Sequence, residues 1–488
     1  MKHFGELLRS YIKKSGYSNY ALAQKAGINR TTLQKVLSGE RAPSPDFLNK
    51  IILYLRLTPE ESDSLFSKIE AIQTGETVYA RRQFIRHLLE TTSSDLSSGE
   101  YMAGSHVMPG TAAPLSRIPD QQLAYGSQAV THLLNQLVMQ ECAEPSPSML
   151  ACITGRLPLL GQVLNHAHHY CPSISRLRVK HLTSILKEEV HSDFPSANLE
   201  ILSNLLPIAA ISDFGYEISY FYGEKVLTDV TRMAFPFYIV FSQAIVLLSA
   251  DCATALCCRS DHVIYHFRNL FEAAQSNTMP LITRCPNAPD ILPHMIQLAE
   301  NDPAIYVLEY HPCLPAYFTE EMIRSFARPD VPEYEHTVQT LVYRAHQLRN
   351  MTNHTCLFNK SGLLDFVRTG YLADFPPEYV LPLSKEARQY LLEELYNEIA
   401  SGRQRHRMVN PLMFPISENL TCILHEDKGL DFSGFAGIGK SYNYIHIEEQ
   451  SLLEAFSDFF QYLVTSSLVY SLEDTLAFIR QCIDYLNR

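Results

Sequence analysis

Residues 18–55 read SNYALAQKAGINRTTLQKVLSGERAPSPDFLNKIILYL, and the punctuation of this stretch decides the fold of the N-terminal region. Ser18 is placed to cap a helix over NYALAQKA, which stops at Gly27. Asn29 is placed to cap another over RTTLQKVL, which stops at Ser38-Gly39. A short polar side chain at an N-cap accepts a backbone N–H that the first turn leaves unpaired, and glycine tolerates the left-handed backbone that ends a helix. A further helix is expected from about Pro45 to Leu55, with Phe47, Ile51, Ile52 and Leu55 facing inward. Two short helices joined by a tight glycine-bearing turn, with small Ala23 and Gly27 where they cross, make a helix-turn-helix. The second helix of such a pair lies in the major groove of DNA.

Upstream, residues 4–13 (FGELLRSYIK) put Phe4, Leu7, Leu8, Tyr11 and Ile12 on one face of an amphipathic helix. Downstream, Thr58-Pro59-Glu60-Glu61 starts a fifth helix, with proline in the first turn and acids near its positive end. Residues 1–56 hold ten Lys/Arg and three Asp/Glu, a net +7, so the remainder carries −19 of the total of −12. A basic head on an acidic body fits one module that meets a polyanion while the rest stays off it.

These residues resemble the lambda-repressor/Cro-like (XRE) family of transcriptional regulators. Leu22-Ala23, Gly27-Ile28, the polar run Asn29-Arg30-Thr31-Thr32, Gly39, Pro43 and the apolar helix after it follow the family's pattern without a break. The resemblance implies a set of DNA contacts. Asn19 meets a phosphate, Asn29, Arg30, Thr31 and Thr32 open the recognition helix, Gln34 and Lys35 lie one turn on, and Arg41 meets the backbone. The two-donor fork of Arg30 suits guanine, and Gln34 suits adenine. The family often has Glu where this chain has Leu37, which removes a polar contact inside the domain and implies a greasier packing.

At 488 residues the chain is too long for one core. Its eleven cysteines form no C-x2-C pair, and MKHFGELLRS lacks the apolar stretch of a signal peptide, so reduced thiols in a cytoplasmic protein are expected. The most apolar stretch, 235–258 (FPFYIVFSQAIVLLSADCATALCC), is broken at Ser242-Gln243 and at Ser249-Ala250-Asp251. Short pieces rich in β-branched and aromatic residues read as buried strands, not as a membrane span.

After a connecting helix at 77–90, the Ser/Gly/Pro-rich residues 91–119 read as a linker or mobile loop. The pattern from 120 to 210 reads as helical. An internal repeat follows. PFYIVFSQAIVLLSAD (236–251) matches PLMFPISENLTCILHED (411–427), each read as two short strands around a Ser-Gln or Ser-Glu turn. TALCCRS matches YNYIHIEE as a further strand, and DHVIYHFRNLFE (261–272) matches QSLLEAFSDFFQ (450–461) as a helix. The expected fold is therefore an all-α N-terminal helix-turn-helix domain joined to a large α+β body with two related strand-meander-plus-helix halves. The expected boundaries are 1–75 for the DNA-binding domain, 76–119 for the connecting helix and linker, and 120–210 for a helical region. A first α/β half spans 211–300, a mainly helical connection 301–410, and a second α/β half 411–488. Duplicated halves of this kind resemble the phospholipase D-like fold, but the H-x-K motif of that fold is absent; His425-Glu426-Asp427-Lys428 has the wrong spacing.

Four further patterns bear on chemistry. Gly434–Ser441 (GFAGIGKS) fits G-x-x-x-x-G-K-S, but a nucleotide loop needs a helix directly after it, and YNYIHIEE alternates like a strand. It reads as a glycine-rich turn. His166, His168, His169 and Cys171 (HAHHYC) suit a transition metal by type, but His168 points away from the face shared by His166 and His169. Vicinal Cys257-Cys258 in a strand face opposite ways and read as packed thiols. The acid pairs Glu188-Glu189, Glu320-Glu321 and Glu393-Glu394 read as solvated helix faces. No catalytic set, cofactor or metal site is expected. The functional expectation is a non-enzymatic, cytoplasmic, sequence-specific transcriptional regulator. Its partners are a double-stranded DNA operator, a second copy in a homodimer and a small-molecule or peptide effector, with no membrane contact. The alternative is an enzyme of nucleotide or phosphodiester chemistry with an accessory DNA-binding head.

Overall fold

In the computed structural model, which describes residues 2–98, 120–187, 196–210, 214–223, 234–285, 288–331, 333–372, 375, 379–416, 420–436 and 441–487, the caps expected at the N-terminal end are in place. The chain forms two compact units, Met1–Phe84 and Ile85–Arg488. The first holds α1 (Lys2–Ser15), α2 (Asn19–Lys25), α3 (Arg30–Ser38), α4 (Pro45–Leu55) and α5 (Pro59–Thr74). Ser44 caps α4, and Thr58 with Glu61 forms a reciprocal capping box at α5. Phe4, Leu8, Leu22, Leu33, Val36, Leu48, Ile51 and Leu65 make the core. Leu37 is buried in it, as its apolar character implies. Helix α1 crosses the end of α3 at Gly5, where a Cβ would overlap the Leu37 carbonyl oxygen. Gly5→Ala is therefore expected to destabilise the head by about 1–3 kcal/mol, read from thermal unfolding.

Helix α6 (Glu76–Ser98) contains the expected connecting helix and corrects its end: 91–98 continue the helix instead of opening a linker. Ser and Thr are indifferent helix formers but do not stop a helix already propagating, as glycine or proline would. The rest of the expected linker, 99–119, lies outside the described residues.

The second unit is built on a fourteen-stranded mixed sheet. Its first elements are β1 (Gln121–Tyr125), α7 (Ser127–Cys142), β2 (Ser148–Cys152), α8 (Leu159–Tyr170), β3 (Arg178–Leu186), α9 (Ala197–Ala210) and β4 (Gly215–Gly223). They correct the helical reading of 120–210. Strands β2, β3 and β4 run parallel, and parallel strands covered on both faces lack the alternation that marks a half-buried strand. Then come β5 (Phe237–Val240), β6 (Ile245–Leu248), β7 (Thr254–Cys258), α10 (Asp261–Gln275), β8 (Met279–Arg284) and α11 (Ala288–Leu298). The apolar stretch 235–258 thus supplies three buried strands. No described helix is long and apolar enough to cross a membrane.

Next are β9 (Ile305–Glu309), α12 (Glu320–Phe326), α13 (Tyr334–Asn350), β10 (His354–Asn359), α14 (Lys360–Thr369), α15 (Lys385–Ser401) and β11 (Arg407–Val409). The mainly helical connection expected at 301–410 therefore also carries three parallel strands. The chain closes with β12 (Thr421–His425), β13 (Gly429–Ala436), β14 (Ser441–Ile447), α16 (Gln450–Thr465) and α17 (Leu472–Leu486). Within 411–427 a single strand, β12, replaces the two expected. Pro411 and Pro415 have no N–H to give a ladder, Asn410 starts a turn accepting from Phe414 N–H, and 417–419 lie outside the described residues.

The strand order is β1-β7-β6-β5-β2-β3-β4-β8-β14-β13-β12-β9-β10-β11. In one set a parallel trio β2-β3-β4 carries an antiparallel meander β5-β6-β7 on the outer side of β2. In the other, the trio β9-β10-β11 carries the meander β12-β13-β14 on the side of β9. Strand β8 lies antiparallel to β4 and to β14 between them. The buried carboxylate of Glu141, on α7, accepts from Ser148 N at 2.8 Å, Ser242 N at 2.8 Å and Ser242 Oγ at 2.6 Å. It thereby fixes the start of β2 and the turn between β5 and β6. Glu141→Ala strips an acceptor from three donors at once and is expected to cost about 3 kcal/mol in urea unfolding, with Glu141→Gln losing less.

Candidate nucleic-acid interface

The turn between α2 and α3 is set by Gly27, whose φ of 63° lies in the left-handed region. Ser18 Oγ accepts from Ala21 N at 3.2 Å to start α2. Asn29 Oδ1 accepts from Thr31 N at 2.8 Å to start α3, and Gly39, at φ 80°, ends it. On α3 the spacing of 3.6 residues per turn separates two faces. Leu33, Val36 and Leu37 are buried, while Arg30, Thr31, Gln34 and Lys35 are exposed together on the other side. Asn19 and Arg41 are also exposed, and Thr32 is half-buried at the margin. Asn29 is exposed, but its side-chain carbonyl is taken by the cap, so the contact expected of it falls to its amide nitrogen.

Sequence reading missed Tyr20. It is 61% exposed at the start of α2, and the Arg30 guanidinium lies over its ring, 5.9 Å from the centroid. A cation held against an aromatic face is oriented before DNA arrives. An exposed tyrosine on the polar side of an amphipathic helix was the available signal. Asn29→Ala is expected to cost about 1 kcal/mol, seen as roughly fivefold faster amide exchange in the first turn of α3, with Asn29→Ser restoring protection.

The other patterns behave as packing. His166 packs against Tyr170 with tilted rings, and among the described residues the HAHHYC side chains do not converge into a metal-binding group. Burial pushes the Cys142 thiol, beside Cys171, up to about 12. Cys257 is buried and Cys258 half-buried on β7. Glu320 pairs with Arg324 on the surface, whereas Glu188 and Glu189 lie outside the described residues. Of the GFAGIGKS stretch, 437–440 lie outside the described residues, while Ser441 opens a strand.

A cluster that the sequence did not reveal lies in the second unit. Asp431 on β13 is paired in register with His446 on β14, and their side chains meet at 2.7 Å (Oδ1 to Nδ1). His446 Nε2 lies 3.0 Å from Glu448 Oε1. His425, on β12, stands 3.5 Å from Asp431 Oδ2, and His294 on α11 packs edge-on to His446 with ring centroids 4.6 Å apart. Burial pushes Asp431 up, but the His425 and His446 imidazoles outweigh it and hold the carboxyl below its ordinary range. Burial pulls His446 down, and the Asp431 and Glu448 carboxylates reverse this and raise it. The sequence signal was the strand-like alternation of YNYIHIEE, which puts His446 on a strand but says nothing of the residues it meets.

Residues 8–62 match the family model described as Helix-turn-helix. The N-terminal unit therefore carries a helix-turn-helix DNA-binding domain of the lambda-repressor/Cro-like kind, as its residues imply. No curated protein matches the chain in sequence. Solved structures similar to the chain include two from different classes of protein. TrmBL2, an archaeal chromatin protein with a novel mode of DNA binding, is 11% identical, with 46% of this chain and 72% of that one covered and a TM-score of 0.23. Phosphatidylserine synthase of Haemophilus influenzae Rd KW20 is 8% identical, with 75% and 92% covered and a TM-score of 0.24. At these scores the assignment stands on residues 8–62 and the geometry of α2 and α3.

Proposed function

We propose that this protein is a cytoplasmic, sequence-specific transcriptional regulator, not an enzyme, whose head reads a DNA operator and whose body dimerises and senses an effector. The observation that carries the reading is the solvent-facing set Arg30, Thr31, Gln34 and Lys35 on the second helix of a capped helix-turn-helix, with Arg30 braced by Tyr20. Such a set fits base edges, while Asn19 and Arg41 fit the flanking phosphates. The body is read as two related halves. The matching order of parallel and antiparallel pairings in β2–β7 and β9–β14, each followed by an amphipathic helix, supports this. A two-fold dimer would present two heads to half-sites about one DNA turn apart.

The test is binding of the full chain to genomic fragments across a salt series. Wild type is expected to select a short palindrome, and Arg30→Ala to lose about 1–3 kcal/mol of discrimination at one position of each half-site. Lys35→Ala is expected to weaken all sequences alike and to reduce the salt slope by about one. Equal, weak binding by wild type and Arg30→Ala would remove the recognition-helix assignment. Sedimentation of the free protein as a monomer at all concentrations would remove the dimer.

A further inference from the structure

We propose that His294, Asp431 and His446 form a binding site for one divalent first-row transition metal ion in the second unit. The site stands apart from the operator reading, because it lies on other elements and is measured without DNA.

One ligand atom from each of the three side chains lies within 4.8 Å of the other two, the spread that a single ion spans. Two are supplied by adjacent, in-register strands and the third by helix α11. The donors are thus held by backbone ladders and not by a flexible loop. Asp431 and His446 are buried, and His294 is half-buried.

Unmet bonding capacity also marks the site. Asp431 Oδ2 and His294 Nε2 are buried atoms without a hydrogen-bond partner among the described residues. A buried imidazole nitrogen left in this state costs a desolvation penalty, and for Asp431 Oδ2 the nearest imidazole, His425 Nε2, returns only part of that penalty at 3.5 Å. Asp431 Oδ2 and His294 Nε2 are both lone-pair donors to a cation. Arg344, a buried cation on α13, gives its guanidinium to Met295 O at 3.2 Å and to Gln347 Oε1 at 2.7 Å.

His446 is held as a ligand would be. Its Nδ1 faces Asp431, and its Nε2 faces the exposed carboxylate of Glu448. A metal-bound histidine characteristically gives its other ring N–H to a carboxylate, which fixes the tautomer and the ring plane. In this arrangement Nδ1 turns to the ion and the proton it shares with Asp431 is displaced. The ring can lie there because residue 429 is glycine: a Cβ at Gly429 would overlap the imidazole. Two imidazoles and one carboxylate suit Zn2+ or Fe2+ over Mg2+ or Ca2+, which prefer all-oxygen sites.

The experiment uses the full chain, stripped with a chelator and dialysed, then titrated with ZnCl2 by calorimetry. Co2+ loading is followed by ligand-field absorption in the visible. Wild type is expected to take one Zn2+ per chain and to melt at higher temperature with it. His294→Ala, on a half-buried helix position, and Asp431→Asn are each expected to weaken Zn2+ binding at least about tenfold. The unloaded His294→Ala protein should melt as wild type does. The double variant His166→Ala/His169→Ala, which disables the other histidine-rich segment, is expected to bind as wild type. The proposal is overturned if wild type takes no stoichiometric Zn2+. It is equally overturned if His294→Ala and Asp431→Asn both bind normally, or if the His166/His169 variant is the one that loses binding.

Discussion

Parallel strands must be covered on both faces, and the second unit is arranged around that requirement. Every residue of β10 is buried, and β3 is exposed only at its first residue. A polar side chain in such a strand has no access to bulk water, so an ionisable one stays neutral unless a counter-charge lies inside. His181 on β3 is hydrogen-bonded at both ring nitrogens, with Nδ1 2.8 Å from the Tyr216 hydroxyl and Nε2 2.9 Å from the Ile153 carbonyl. Burial lowers its pKa to about 4, which keeps it neutral at physiological pH. His354 on β10 is driven lower still, to about 3, by burial first and then by the nearby Arg344 guanidinium. The interior of the sheet thus tolerates neutral histidine and rejects the charged form, except where Asp431 supplies the counter-charge to His446.

In the head the controlling features are local. Ser18, Asn29, Ser44 and Thr58 each cap a helix with a side-chain oxygen, and Gly27 and Gly39 turn the chain where a Cβ would resist. These positions start and stop α2 and α3, and the shared core with α1 and α4 holds the two helices at their angle. The reading face of α3 is in turn left free of packing duties, since Leu33, Val36 and Leu37 carry them. Side chains free of core packing can be chosen for the groove, and Arg30 is braced by Tyr20.

This difference explains what the sequence disclosed. Caps, glycine turns and a 3.6-residue period are short-range signals, so α2, α3 and α4 were legible to within a residue, as was the exposed set from Arg30 to Lys35. Strands β2, β3, β9 and β10 were not, because a buried parallel strand and a buried helix segment share the same apolar run. The second copy of the strand pair was misplaced for another reason: Pro411 and Pro415 sit among apolar residues that look like strand until the missing N–H groups are counted. The cluster at Asp431 was hidden further, since Asp431 meets His446 through strand register and His294 reaches them from helix α11, far away in the chain. Tyr20 was visible but passed over: its place on the polar side of α2 signals exposure, but not that Arg30 lies over its ring.

The pairing of β14 with β8 has a mechanical consequence. β3 and β4 are stitched by nine residue pairs and β13 and β14 by seven, whereas β14 meets β8 through two, Ile445 with Arg284 and His446 with Thr283. Side-chain ties from Asn198 to Ser451 and from Tyr222 to Glu449 reinforce the same line. A sheet loaded along its width yields where the stitching is shortest. Among the described residues this seam is the shortest ladder, the line along which the sheet would open, and His446 sits in it as a rivet.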